Sequence, residues 1–250
     1  DSITDAVREL RVSRDAGRAG FDRYGRMMPD GGRFTTGFFS QVGTGADFRD
    51  LIGTNAFTLE ATIQTGDLRQ SIRGKPLSGV PDTVSPKPEF PARIVNCSAW
   101  YDADWEFMLG QQDDRLVFSI RTSDNFLSME GKPVANDLHG RAPVYDIAKI
   151  PDTAPHHVVV TYTPGRLVAY LDGKQTFETA EVKGPLKAWG YGELCFGDNH
   201  NGGRHGWLGR IEGVAIYKRA VEAAEVARNF AARSRVVLSR KPLPCIEVEA

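Results

Sequence analysis

No stretch of this sequence stays apolar for the roughly 18 residues that a membrane-crossing helix needs, so no membrane insertion is expected. Cysteine is scarce. Cys97, Cys195 and Cys245 make an odd count with no CxxC spacing, which fits no closed disulfide framework. Cys97 and Cys195 lie inside apolar runs and read as buried thiols acting as small hydrophobes, with a disulfide as the alternative. Charge of one sign is also lacking: 31 Lys and Arg stand against 32 Asp and Glu, for a net charge of −1. Such a balance draws neither phosphate backbones nor anionic membranes, so no nucleic-acid partner is expected. The sequence opens on Asp1 without a signal peptide and reads as a processed or trimmed piece.

Catalytic patterns are missing too. There is no G-x-S-x-G, no HExxH and no P-loop. A retaining glycoside hydrolase on a β-sandwich would place two carboxylates on one strand face, about 5–5.5 Å apart. No Glu here has an Asp two residues later; the nearest approach is Asp102-Ala103-Asp104-Trp105-Glu106, which reads as a polar loop entering a strand. Val7-Arg8-Glu9-Leu10-Arg11 resembles an alginate-lyase strand, but the companion motifs of those enzymes do not occur. His156-His157 opens a strand, where neighbours face opposite ways, so it reads as structural rather than as a metal pair.

What is present is strand. In Phe57–Gln64, Phe57, Leu59, Ala61 and Ile63 alternate with polar residues, as a half-buried antiparallel strand requires. Leu116, Phe118 and Ile120 repeat the pattern. Residues 157–162 and 166–171 flank Thr163-Pro164-Gly165 as a hairpin, and Asp172-Gly173 makes the next turn. Further strands are predicted over 191–197 and 207–217, with a bulge at Gly213 where the alternation slips. One helix is predicted over about 221–232, with Ala223, Val226, Ala227 and Phe230 on one face. Five prolines mark 74–92 as an exposed, mobile loop, and 123–152 reads as a second long connection. The expected fold is all-β: a two-sheet antiparallel jellyroll sandwich with one short C-terminal helix. One domain over 1–233 and a tail over 234–250, leading to a further domain, are expected.

Three segments carry a resemblance. Asn55–Thr65 (NAFTLEATIQT), His156–Gln175 (HHVVVTYTPGRLVAYLDGKQ) and Gly206–Phe230 (GWLGRIEGVAIYKRAVEAAEVARNF) resemble, in order and spacing, the strand, hairpin and closing strand-helix of laminin G-like, concanavalin A-like jellyroll domains. The match covers roughly 45–230 and is similar to domains of large exported planctomycete-type bacterial proteins. It implies a periplasmic or extracellular setting, beside other domains of the same polypeptide, and a non-catalytic module that binds a glycan; the alternatives are a protein-interaction or purely structural module, and an unrecognised glycan-active hydrolase or lyase. It does not imply one activity.

Within that frame, two segments combine aromatic platforms with hydroxyl-binding side chains. Trp100, Tyr101, Asp102 and Trp105 form one; Asp198, Asn199, His200, Arg204 and Trp207 form the other. The two loops are expected at one end of the sandwich as a shallow ligand site. The alternative is that the tryptophans cap the core. The resemblance further implies one structural calcium, held by a carboxylate of the last strand and by backbone carbonyls. The corresponding residue is Glu212, where the family has Asp, with Asp198 as a second ligand.

Overall fold

The structure is a computed structural model that describes residues 13–16, 19–24, 26–29, 33–38, 55–70, 72–73, 89–98, 105–125, 142–186, 189, 193–198 and 206–239. Its strands run in chain order β1 (Ser13–Ala16), β2 (Gly20–Phe21), β3 (Met27–Met28), β4 (Arg33–Phe38), β5 (Phe57–Thr65), β6 (Ile72–Arg73), β7 (Glu89–Phe90) and β8 (Ala92–Ser98). They continue with β9 (Trp105–Gln112), β10 (Arg115–Ile120), β11 (Val144–Lys149), β12 (His156–Thr163), β13 (Arg166–Leu171), β14 (Lys174–Thr179), β15 (Glu193–Phe196) and β16 (Gly209–Tyr217). One helix, α1 (Ala223–Ser239), follows.

Two antiparallel sheets form the sandwich. Sheet I has the order β1-β4-β15-β8-β9-β10-β11, and sheet II has β14-β13-β12-β5-β16-β3-β2. Alternation decides which side chains meet between them. Phe57, Leu59, Ala61 and Ile63 of β5 point inward, as do Phe107 and Leu109 of β9 and Leu116, Phe118 and Ile120 of β10. The rings of Phe57 and Phe107 are 5.0 Å apart, and Trp189 sits edge-on to Phe57 at 5.4 Å. Burying such large rings is the main stabilising contribution, at ~25 cal/mol per Å².

The second face of sheet II is covered as well. Val159, Val168 and Tyr170 pack there against Val221 and Val226 at the entry to α1. That double cover explains why β12 is buried along nearly its whole length instead of alternating. The burying stripe of α1 passes through Val226, while Ala223 and Ala227 stay exposed. The helix runs on to Ser239, past 233 where a tail was expected to begin. His157 and Glu60 clamp it. Glu60 accepts from His157 Nε2 at 2.7 Å, Tyr217 OH at 2.8 Å and Asn229 Nδ2 at 3.0 Å, and the His157 ring stacks on Phe230. The adjacent histidines do face opposite ways: His156 turns to Asp172 at 2.7 Å.

Turn chemistry matches the sequence reading closely. Pro164-Gly165 joins β12 to β13 with Gly165 at φ 83°, and Asp172 (φ 51°) with Gly173 (φ 75°) joins β13 to β14. The register of β16 on β5 shifts between Ile211 and Gly213, the expected bulge. Cys97 and Cys195 are buried thiols that are not joined in a disulfide. Leu194 pairs with Cys97 and Cys195 with Asn96, so the two thiols point to opposite faces of sheet I.

Three expectations need correction. The connection 123–152 contains the edge strand β11, paired with β10. Its Val144-Tyr145-Asp146-Ile147 run alternates too weakly to announce itself. The end of the 74–92 loop is paired rather than free: β7 joins β6, and Ala92 opens β8. The prolines flank those paired positions rather than occupying them; 74–88 lie outside the described residues. The third correction concerns the binding loops.

Candidate functional site

The two expected binding loops leave sheet I at opposite ends. Ser98, where β8 ends and the 99–104 segment begins, pairs with Glu193, the first residue of β15. Phe196, the last residue of β15, pairs with Val95, and Gly197 N donates to Ile94 O at 2.9 Å. The 198–207 segment therefore departs toward the start of β8, and the described anchors do not bring the two segments together. Trp100, Tyr101, Asp102, Asn199, His200 and Arg204 lie outside the described residues; Trp105 opens β9.

Trp207 is not a platform. It is fully buried, and its Nε1 donates to Gln111 Oε1 at 2.9 Å. Gly209 leaves room for the indole, because a Cβ there would collide with the Trp207 ring and with Gln64 O. Asp198 is buried as well, its carbonyl accepting from Asn96 Nδ2 at 2.8 Å. Glu106, the carboxylate closest to a hydrolase pattern, lies buried on sheet I, 4.0 Å from the Arg121 guanidinium. Glu212 is held by Arg26 (3.3 Å). Among the described residues, no group of three or more His, Cys, Asp or Glu could hold a metal ion. A guanidinium against Glu212 does not fit the implied calcium, which asks for oxygens.

Around Trp207 the structure builds something that the sequence reading missed. Two buried glutamines knit three segments, 65–70, 111–113 and 207–208, at this end of the sandwich. Gln111 Nε2 donates to Asp67 O and Asp113 O, each at 2.8 Å. Its Oε1 accepts from Trp207 and lies 2.8 Å from Thr65 Oγ1. Gln70 bonds Leu208 twice, accepting from its N at 2.7 Å and donating to its O at 2.6 Å. Asp113 N in turn donates to Gln70 O at 2.8 Å. A buried polar network with its members bonded rigidifies what it touches.

Beside this network lies a cleft of about 560 Å³, lined by Leu68, Arg69, Asp113, Asp114, Lys149, Ile150 and Pro151. Small-ligand sites fall in this size range. Leu68, Ile150 and Pro151 supply an aliphatic surface. Lys149 Nζ is 3.3 Å from Asp114, and Ile150 N donates to Asp114 O at 2.8 Å, which ties the cleft's two walls. Asp113 sits at φ 51° in the two-residue turn from Gln112 to Arg115. Among the described residues, neither the Asp113 carboxylate nor the Arg69 guanidinium has an ion pair. The cleft can offer a free acceptor and a free fork of donors over an apolar floor. Parity could have found part of this: Gln111 shares the inward parity of Phe107 and Leu109, and Trp207 that of Ile211. The meeting of Arg69 with Lys149 had no local signal.

Residues 98–227 match the family described as the concanavalin A-like lectin/glucanases superfamily, Laminin_G_3. The chain belongs to this superfamily. No curated protein matches the sequence. Solved structures share the superfamily's sandwich at low identity. Domain 4 of AbnA, a GH43 extracellular arabinanase from Geobacillus stearothermophilus solved with arabinotriose, is 13% identical with a TM-score of 0.51, over 87% of this chain and 86% of that one. The binding domain of Paraclostridial Mosquitocidal Protein 1 gives 12% and 0.53, over 90% and 48%. Trypanosoma rangeli sialidase with sialic acid gives 16% and 0.55, over 89% of this chain but 30% of the sialidase. These likenesses show the fold.

Proposed function

We propose that this superfamily member is a non-catalytic, glycan-binding module of an exported protein, and that it takes a neutral saccharide in the Arg69–Asp113 cleft. The observation that carries the reading is the pairing of an unengaged carboxylate and an unengaged guanidinium over an aliphatic floor, on a rim pinned by Gln70 and Gln111. A carboxylate can accept from two neighbouring hydroxyls, and a guanidinium can donate to ring or hydroxyl oxygens. The four charges of the lining cancel, Arg69 and Lys149 against Asp113 and Asp114, which favours an uncharged ligand. The arabinotriose bound to the similar arabinanase domain is consistent with this class.

The test is a glycan array followed by calorimetric titration of the best neutral oligosaccharide. Arg69→Ala and Asp113→Asn are compared with the parent; Asn accepts the positive φ, so the turn survives. Each should weaken binding about ten-fold, the equivalent of about 1.4 kcal/mol, with an unchanged melting temperature. Trp100→Ala and Arg204→Ala, run in the same titration, ask whether the two loops contribute. No neutral glycan on the array, or unaltered affinity in both cleft variants, would refute the assignment. A protein ligand captured instead would favour an interaction module.

A further inference from the structure

We infer that the Arg26 guanidinium stands in this chain where the superfamily resemblance implies a calcium ion, so that Glu212 takes part in an internal ionic cross-link rather than in a metal site. The geometry starts with a short turn. Asp22 Oδ1 accepts from Tyr24 N at 2.9 Å and from Arg26 N at 3.0 Å, folding the β2–β3 connection around itself. This turn aims the Arg26 side chain at sheet II. Arg26 Nε donates to Asp22 Oδ2 at 2.7 Å, and its NH1 lies 3.3 Å from Glu212 Oε1 and 3.4 Å from Gln64 Oε1.

Glu212 is the extra residue of the β16 bulge. A bulge re-aims the side chain it carries, and here the carboxylate meets Arg26 with only 8% of its side chain exposed. Gln64 extends the link, donating to Thr153 O at 3.1 Å. One cation thus ties the β2–β3 turn, β5 and β16 together, which is what a structural ion would do. Calcium asks for six to eight oxygens at 2.3–2.6 Å. A guanidinium supplies a planar fork of donors and a single fixed charge. Its positive charge beside Glu212 also repels a dication. Arg210, 3.6 Å from Asp22 Oδ2, adds a second positive charge to the same group.

The test is melting of the whole chain in EDTA and in millimolar CaCl₂, for the parent, Arg26→Ala and Glu212→Gln. The parent should melt at the same temperature in both buffers. Arg26→Ala should melt roughly 5–10 °C lower in EDTA, because it leaves Glu212 without its cation and Asp22 with Arg210 alone. Calcium should then restore part of that loss, since Asp22, Gln64 and Glu212 become available oxygens. A calcium-induced rise in the parent that disappears in Glu212→Gln would overturn the inference. So would an Arg26→Ala protein that melts like the parent, or one whose melting calcium leaves unmoved.

Discussion

Replacing Gln111 by Leu asks the most of the polar network. The substitution keeps the volume and removes every hydrogen bond of the side chain. Trp207 Nε1 loses its acceptor while fully buried. An unsatisfied buried donor costs about 1–3 kcal/mol. The carbonyls of Asp67 and Asp113 lose a donor each, but both belong to exposed turns where water can replace it. Each then contributes at most about 0.5 kcal/mol. With about 2 kcal/mol for the indole, the middle of its range, the sum is about 3 kcal/mol. For a chain of this size 1 kcal/mol shifts melting by about 2–4 °C, so a fall of about 6–12 °C is expected. Urea unfolding should give the same loss with an unchanged m-value. Gln112→Leu, one residue on and on the other face, is the control and should stay within about 0.5 kcal/mol of the parent. If Gln111→Leu melts within about 2 °C of the parent, the network does not hold this end together, and the preformed cleft loses its support.

Two further outcomes follow from single contacts. The hydrogen bond from Asp172 raises the pKa of His156 above its ordinary value of 6.5, outweighing the opposing effect of burial. A raised folded value means that the stabilisation is complete below pH 6.5 and is lost as pH climbs through that folded value. The difference in melting temperature between the parent and His156→Gln should therefore shrink as pH rises above 6.5, and a difference that grows with pH would contradict the assignment. Gly209→Ala should destabilise by about 1–3 kcal/mol in chemical unfolding, because its Cβ would overlap the Trp207 indole; a neutral result would mean that the indole can move aside.

Much of the sandwich can be read from the sequence because its determinants are local. Period-two alternation at Phe57–Ile63 needs only neighbouring residues, and so do the Pro164-Gly165 and Asp172-Gly173 turns and the slip at Gly213. Elements whose identity depends on a partner are harder. β11 becomes a strand because β10 offers it an open edge. The strands β2 and β3 are two residues each and exist only through pairing, β3 with Ile211 and β2 with β3. Nothing in Gly20-Phe21 or Met27-Met28 carries a periodicity to detect.

Trp207 departs from its expected role for a different reason: parity outweighs residue type. Trp207 stands after a run rich in Asn, Gly and His, and composition suggests an exposed aromatic. Yet two steps separate it from Gly209 and two more from Ile211, whose side chain is fully buried. Strand geometry places all three on one face. The small Gly209 between them is the residue that gives a large indole room. The same parity carries Phe107, Leu109 and Gln111 inward together, which brings a polar side chain to the indole N–H. An inward Trp at the start of one strand and an inward Gln at the end of another form a complementary pair of buried polar groups. Each group alone would cost free energy to bury; bonded to each other, they make the end of the sandwich rigid. That rigidity holds the Asp113 turn against Gln70 and leaves its carboxylate facing the cleft beside Arg69. Composition selects residue types that suit sugars, whereas parity and pairing decide which of them face solvent.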